Sequence, residues 1–335
     1  MKRPGKVLLW VIGVVIVVLL VGIQFTIGWA PFLGPKMRPT TSKKFEVTPE
    51  RIAHGRDIVH LAGCEACHSP HDWTKHGAPP VPGMEAAGQE LPLPDVPGHV
   101  VAPNLTPDVA TGAGSWTDDE MARSIREGIT HDGRAMFPLM PYSEYRAMSD
   151  EDVASVVVYL RSLPAVHNPL PRTKINFPVN YLIRSSPQPL TAPVHATDSS
   201  NIVERGRYLA KIGCGCHTPT DNGTPLRGLD FAGGEVLDGP WGNVTSANIT
   251  PDATGVRYYD NQDAFLAAVR TGYVGARSLS SIMPYGDFQY VPEEDLKAVF
   301  AFLKTVKPIH HIVDNSLPPT FCKICRHKHG GGDKN

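Results

Sequence analysis

Six cysteines in this 335-residue chain fall into three close pairs, Cys64/Cys67, Cys214/Cys216 and Cys322/Cys325. Two of the pairs are followed directly by a histidine, His68 and His217. A disulfide framework spreads its cysteines along the chain, whereas close pairs point to attachment or metal chemistry. Cys64-x-x-Cys67-His68 has the spacing of covalent haem attachment. Residues i and i+3 of a helix share a face, so both thiols can add to the two haem vinyl groups while the adjacent imidazole meets the iron. A zinc half-site or a redox dithiol is the competing use of such a pair, and neither accounts for the immediate histidine.

The second motif, Cys214-Gly215-Cys216-His217, has one residue between its cysteines instead of two. Residues i and i+2 stand about 200° apart around a helix, so a regular turn cannot aim both thiols at one porphyrin edge. Gly215 permits a local distortion. Otherwise Cys216, still beside His217, makes a single thioether, or the copy is a haemless relic. A sixth iron ligand is expected tens of residues later. Met140 and Met283, each followed by Pro-Tyr, lie 72 and 66 residues beyond their histidines. Proline holds the chain off helix and can present a thioether on a fixed loop. The competing role of a methionine is core filler, and Met136 is the nearest rival ligand in the first copy. His/Met ligation raises a reduction potential relative to His/His and leaves no open coordination position, which favours electron transfer over catalysis at iron.

These landmarks belong to an internal duplication. The first copy runs Gly55-Arg56, Cys64 to His68, Asn104-Leu105-Thr106-Pro107-Asp108, Met140-Pro141-Tyr142; the second runs Gly206-Arg207, Cys214 to His217, Asn248-Ile249-Thr250-Pro251-Asp252, Met283-Pro284-Tyr285. Asn-to-Met spacing is 36 residues in one copy and 35 in the other. Helices must position the motifs. Thr48 with Pro49 starts one that runs toward Cys64. Ser149 caps another with Val153, Val156, Val157 and Leu160 on one face, ended by Pro164. Pro292 starts a third with Leu296, Val299, Phe300 and Leu303 on one face, ended by Pro308. No strand-rich pattern is evident. The six prolines between 164 and 201 read as an extended linker, although 175–183 is apolar enough to pack on a neighbour.

Lys2, Arg3 and Lys6 precede an uncharged, mostly apolar stretch from Val7 to Pro35, long enough to cross the roughly 30 Å hydrocarbon core. The charge asymmetry places the N-terminus in the cytoplasm and the bulk outside, most simply in a bacterial periplasm. A cleaved signal has the same polarity, but its apolar region is shorter and ends in an A-x-A-like site, to which Ile27-Gly28-Trp29-Ala30-Pro31 is a poor match. With 32 Lys+Arg against 33 Asp+Glu the net charge is −1, which argues against a nucleic-acid partner. Gly and Pro total 63 residues, too much punctuation for a bundle of long helices.

The motifs GRDIVHLAGCEACHSP, NLTPD, MPY, GRYLAKIGCGCHTP and SANITPD carry a resemblance to membrane-anchored dihaem c-type cytochromes built from two class-I cytochrome c domains. The chain is similar over residues 51 to 308 to the cytochrome c subunits of periplasmic alcohol and gluconate dehydrogenases. The resemblance implies an all-α fold around each haem and electron relay between the two. The implied organisation is an anchor (1–35), a first domain (45–168), a Pro-rich linker (169–200), a second domain (201–312) and a basic tail (313–335). Those subunits commonly hold three haems; two sites are evident here. The expected function is electron transfer in the bacterial inner membrane, with the soluble part in the periplasm. Donors would be a dehydrogenase or the quinol pool, and the acceptor a soluble cytochrome or an oxidase. The alternatives are a dihaem enzyme of the cytochrome c peroxidase or thiosulfate dehydrogenase kind, which needs a displaceable ligand, and a haem-based sensor, for which no effector domain follows.

The tail holds Cys322 and Cys325 with Arg326 in the place of a haem histidine, so a third haem is not expected. A disulfide suits an oxidising compartment. A metal site could use Cys322, Cys325 and His329 or His327, but no fourth ligand is evident beyond the possible donors His310 and His311. The tail's modest excess of Lys and Arg is that of a solvated surface, or of one that docks an acidic partner or anionic lipid. His60, His71, His76, His99 and His131 have no ligand spacing and read as surface or loop residues.

Overall fold

The computed structural model describes residues 3–94, 96–198, 200–221, 223–256 and 261–335; Lys2, counted above among the N-terminal charges, lies outside them. Helix α1 (Arg3–Phe25) includes one stretch long and apolar enough to cross a membrane, Gly5–Phe25, with none of it buried in the protein. A short turn, α2 (Ala30–Leu33), follows. The chain then reaches the first copy through Arg38, whose guanidinium meets Asp119 and the buried Glu127 at 2.7 Å each.

The first copy contains α3 (Pro49–Leu61), α4 (Cys64–His68), α5 (Asp118–Glu127), α6 (Tyr142–Tyr145) and α7 (Asp150–Ser162). After a turn, α8 (Val179–Leu182), the second copy contains α9 (Ile202–Gly213), α10 (Gln262–Thr271), α11 (Tyr285–Phe288) and α12 (Glu293–Leu303). The caps follow the sequence. Thr48 Oγ1 accepts from the Arg51 amide with Pro49 at the first turn, and Ser149 Oγ accepts from the Asp152 amide. Three acidic residues open each of α5, α7 and α12, where the positive end of the helix dipole stabilises them.

In each copy the first and last helices cross, α3 on α7 and α9 on α12. The crossing is tight because Gly55 faces the Ser155 carbonyl and Gly206 the Ala298 carbonyl; a Cβ at either would overlap backbone. Both copies feed one contiguous apolar core that includes Val59, Val157, Leu209 and Leu303. Gly128 and Gly272 end α5 and α10 in the left-handed conformation, with the rings of Tyr142 and Tyr285 lying directly over them.

Against an all-α expectation, six two-stranded ladders occur among the described residues. The longest pairs Val236–Gly239 with Gly242–Thr245; the others are two or three residues long and close loops without carrying the core. The segment from 164 to 201 is not a free extended linker. Lys174–Ile175 pairs with Gly98–His99, the Asp150 amide donates to the Val194 carbonyl, and Arg146 binds the carbonyls of Gln188 and Pro189. Proline removes donors from this stretch, so neighbouring arginine and amide groups supply them. The apolar turn at α8 packs beside α2.

Candidate functional site

The first motif begins where α3 ends. Gly63 takes a left-handed φ of 61° and turns the chain into α4, which carries Cys64, Cys67 and His68 on a single helical turn. The His68 side chain is buried, and its Nδ1 lies 2.8 Å from the Pro103 carbonyl oxygen. A carbonyl only accepts, so Nδ1 carries the proton and Nε2 keeps a free lone pair. Burial lowers the His68 pKa and keeps the ring neutral. Cys64 rests against the core, and burial with the nearby Asp287 and Glu65 pushes its thiol up to about 12. Cys67 is accessible to solvent, yet surrounding protein raises its thiol as well. That combination describes a crevice open on one side.

The second motif solves the same problem with one residue fewer. Helix α9 runs on through Gly213, and Cys214 (φ −116°, ψ 14°) breaks it. Gly215 to His217 then form one 3-10 turn. His217 Nδ1 meets the Ala247 carbonyl at 2.7 Å, and burial lowers its pKa too. Cys214 packs against the core as Cys64 does, and Cys216 is exposed as Cys67 is. Burial pushes Cys214 up to about 12 and Cys216 to about 11. The absence of a Cβ at Gly215 admits the Glu144 carboxylate from the first copy, and burial raises that carboxyl's pKa.

The carbonyls that hold the two histidines sit on equivalent loops. Asn104 Oδ1 accepts from the Thr106 amide and hydroxyl at 2.9 and 2.7 Å, and its amide donates to the Val166 carbonyl at 2.8 Å. Asn248 does the same with Thr250 and the Ile309 carbonyl, at 2.9, 2.8 and 2.7 Å. The repeated Asn-x-Thr-Pro-Asp segment is therefore the device that positions Pro103 and Ala247. Reasoning from sequence passed over both residues, although each stands directly before the repeated asparagine.

Met140 and Met283 occupy matching loops. Pro141 has φ −80° and ψ 49°, Pro284 φ −79° and ψ 50°, and both methionines pack against the core. The amide of Met136 donates to the Gly128 carbonyl and that of Leu279 to the Gly272 carbonyl. The position of Met136 thus falls on a leucine in the second copy, whereas Met140 falls on a methionine.

The two sites face each other. Gly213 approaches the Leu61 carbonyl so closely that a Cβ there would stand 2.7 Å from the oxygen. Tyr285 Oη accepts from the Gly77 amide at 2.8 Å and lies 3.1 Å from His76 Nδ1. Tyr145 Oη donates to the Ala62 carbonyl, beside Cys64, Cys67 and Cys216. One acid four residues after each methionine, Glu144 and Asp287, reaches across to the opposite copy, a pairing that the sequence spacing contains but does not explain. Contrary to the expectation from spacing, His60 is not a surface or loop residue but 8 % exposed on α3, with Nδ1 3.7 Å from Asp287. With Ile58, Val59 and Leu61 it belongs to the last turn of α3, which is buried on all sides. In the tail, Cys322, Cys325 and His329 come together with His311, so the donor that looked missing from the sequence is present.

This geometry can be set beside known proteins. Residues 52–164 match the cytochrome c family. The chain is 28 % identical over 291 residues to the fructose dehydrogenase cytochrome subunit of Gluconobacter japonicus, covering 81 % of this chain and 56 % of that protein. It is 29 % identical over 266 residues to a diheme cytochrome c-type protein of Cereibacter sphaeroides, covering 77 % and 86 %. Against the gluconate 2-dehydrogenase cytochrome c subunit of Pantoea cypripedii the identity is 26 %, over 76 % of this chain and 59 % of the relative. The chain spans a little over half the length of the fructose, alcohol and gluconate dehydrogenase cytochrome subunits it matches. It is similar to cytochrome subunits of dehydrogenases and to a two-haem cytochrome.

Proposed function

We propose that this chain is a membrane-anchored cytochrome with two c-type haems that passes single electrons from a dehydrogenase or quinol donor to a downstream cytochrome or oxidase. Residues 45–168 and 201–312 form tandem class-I domains in this reading. The observation that carries it is the duplicated histidine whose Nδ1 is tied to a carbonyl, 2.8 Å in one copy and 2.7 Å in the other. Such a bond sets the tautomer and ring orientation of a metal-ligating imidazole. The fit extends to the thiols, paired in each copy as one on the core and one open to a crevice.

Cys64 and Cys67 would hold one haem with His68 and Met140 as iron ligands. Cys216, with Cys214 as a second attachment, would hold the other with His217 and Met283. Haem supplies one-electron chemistry at its iron. The chain's own part would be to keep His68 and His217 neutral, to hold each methionine on a proline-braced loop, and to offer an imidazole and a thioether to each iron, leaving substrate no place to bind. Close packing of the motifs around Tyr145 and Gly213 supports relay between them. Anchoring in the bacterial inner membrane, with the domains in the periplasm, is supported by α1 and by exposed Phe32 and Leu33 on α2, Phe177 just before α8 and Leu182 on it.

The test is spectroscopic. Met140→Ala and Met283→Ala should each remove half of the methionine-to-iron charge-transfer band and lower one of the two potentials. An unchanged band in either variant, or a high-spin, peroxide-reactive haem in the half-reduced wild type, would favour the dihaem-enzyme alternative.

A further inference from the structure

The tail contains a second centre that the haem chemistry does not use. Strands Pro319–Phe321 and Lys328–Gly330 pair with Thr320 opposite His329. The turn between them carries Cys322 and Cys325. It is closed by the Cys322 amide on the His327 carbonyl and the Arg326 amide on the Cys322 carbonyl, with Arg326 at a left-handed φ of 65°. The Ile324 amide points at Cys322 Sγ, 3.3 Å away, as amides do toward a thiolate. His311 arrives from the chain beyond α12. Cys322, Cys325, His311 and His329 are all fully buried, and their ligand atoms lie within 4.8 Å of one another.

The hydrogen bonding leaves this cluster incomplete without a cation. His311 Nδ1 is 2.8 Å from the Ala232 carbonyl and His329 Nδ1 is 3.0 Å from the Gly330 carbonyl. Both Nδ1 atoms must therefore carry the proton, and both Nε2 atoms present lone pairs. Those two Nε2 atoms face each other at 3.2 Å, and His311 Nε2 is 3.3 Å from Cys322 Sγ. Two acceptors at that distance repel unless something positive lies between them. A disulfide between the two cysteines, the other use considered for the pair, would leave the imidazoles opposed. A tetrahedral ion with bonds of about 2.0 Å to nitrogen and 2.3 Å to sulfur sets its ligand atoms about 3.3–3.8 Å apart, close to the spacing found.

We propose that His311, Cys322, Cys325 and His329 bind one zinc ion in a closed, structural Cys2His2 site. On binding, the two thiols release their protons to solvent and become thiolates. Two thiolates neutralise the dication, which permits complete burial of the centre. Two sulfur and two imidazole donors in tetrahedral array select zinc over the oxygen-seeking cations. The site fastens the tail to the loop behind His217. His311 holds the Ala232 carbonyl, His327 Nδ1 holds the Gly234 carbonyl at 2.8 Å, and between them the Gly233 amide donates to the His217 carbonyl at 2.7 Å. Gly234 must lack a side chain, since a Cβ there would stand 2.7 Å from the His311 ring and 3.1 Å from Cys325 Sγ.

Metal analysis and zinc-edge X-ray absorption on the full-length protein test the proposal independently of any haem. The expected result is one zinc per chain with two sulfur neighbours at about 2.3 Å and two nitrogen neighbours at about 2.0 Å. No zinc after growth with added zinc, ligation by oxygen and nitrogen alone, or a Cys322–Cys325 disulfide in the purified protein would overturn it. Cys325→Ser should lower zinc content roughly tenfold. Should that variant not fold, His329→Cys should keep the zinc and change its shell to three sulfurs and one nitrogen; an unchanged shell would equally refute the site.

Discussion

The loops behind His68 and His217 show how a duplicated architecture can keep one device and exchange another. In the first copy Asn168 donates to the carbonyls of Ala87 and Gly88 at 2.9 and 3.1 Å, and the Gly88 amide donates to the His68 carbonyl. In the second copy His311 stands at the matching position: the Asn168 amide donates to Thr111 Oγ1 and the His311 amide to Thr254 Oγ1. It grips the Ala232 carbonyl by one ring nitrogen and leaves the other for the Cys322/Cys325 turn. The first copy finishes its latch with a side-chain amide and a strand pairing to Lys174–Ile175. The second finishes with a Cys/His cluster. What stays constant is the Asn-x-Thr segment that aims Pro103 and Ala247, the part that orients the imidazole. What differs is how the backing loop is held from outside.

Three sets of variants distinguish the two copies. The largest effect on stability is expected at the helix crossings, which the copies share. Gly55→Ala and Gly206→Ala each force a Cβ against backbone carbonyl that cannot swing aside, and each should cost roughly 3 kcal/mol in denaturant unfolding. A cost at one crossing and none at the other would show that the copies pack differently. Next come the latches. Asn104→Ala leaves buried Thr106 donors without their acceptor and should cost about 2–3 kcal/mol. Asn248→Ala removes the same bonds but leaves the tail cluster gripping the loop, and should cost about 1–2 kcal/mol; equal losses would mean that the tail adds nothing to the latch.

The smallest effect belongs to the junction of α3, α7 and α9. His54 Nε2 lies 2.6 Å from Asp152, which also accepts from Tyr208 of the other copy. The hydrogen bond to Asp152 raises the His54 pKa. Hydrogen bonds from His54 and Tyr208 outweigh burial and lower that of Asp152. His54 therefore stabilises the fold fully below its ordinary value near 6.5 and loses that contribution as pH rises through its elevated folded value. Asp152 acts in the opposite sense, losing its contribution as pH falls below about 4. With His54 half-exposed, its share should stay below about 1 kcal/mol. His54→Gln should flatten the decline in stability above pH 6.5 and reduce the acid limb without abolishing it, because Tyr208 still donates to Asp152, as followed by thermal unfolding across pH.

Much of this arrangement is local and so was readable in the chain. Thr48-Pro49, Ser149 and Pro292 mark helix starts because capping and proline geometry act within four residues. The Cys-x-x-Cys-His, Asn-x-Thr-Pro-Asp and Met-Pro-Tyr landmarks gave the candidate ligands from spacing alone. The parts that stayed hidden depend on distant segments meeting. His311 becomes a donor only because the chain beyond α12 folds onto the tail hairpin. His60 looked like a loop residue because its partner, Asp287, is more than two hundred positions away. The requirement for glycine at 215 comes from Glu144 of the opposite copy, which no window around Cys214 contains. The ladders escaped notice because two-residue pairings carry no alternation to detect.

Whether both motifs carry haem is decided by the intact mass of the purified full-length chain under denaturing conditions, where only covalently held haem survives. A mass increased by two haems is expected, with Cys216→Ser weakening or releasing the second. A mass increased by a single haem, with Cys214 and Cys216 both free to react with a thiol reagent, would contradict it.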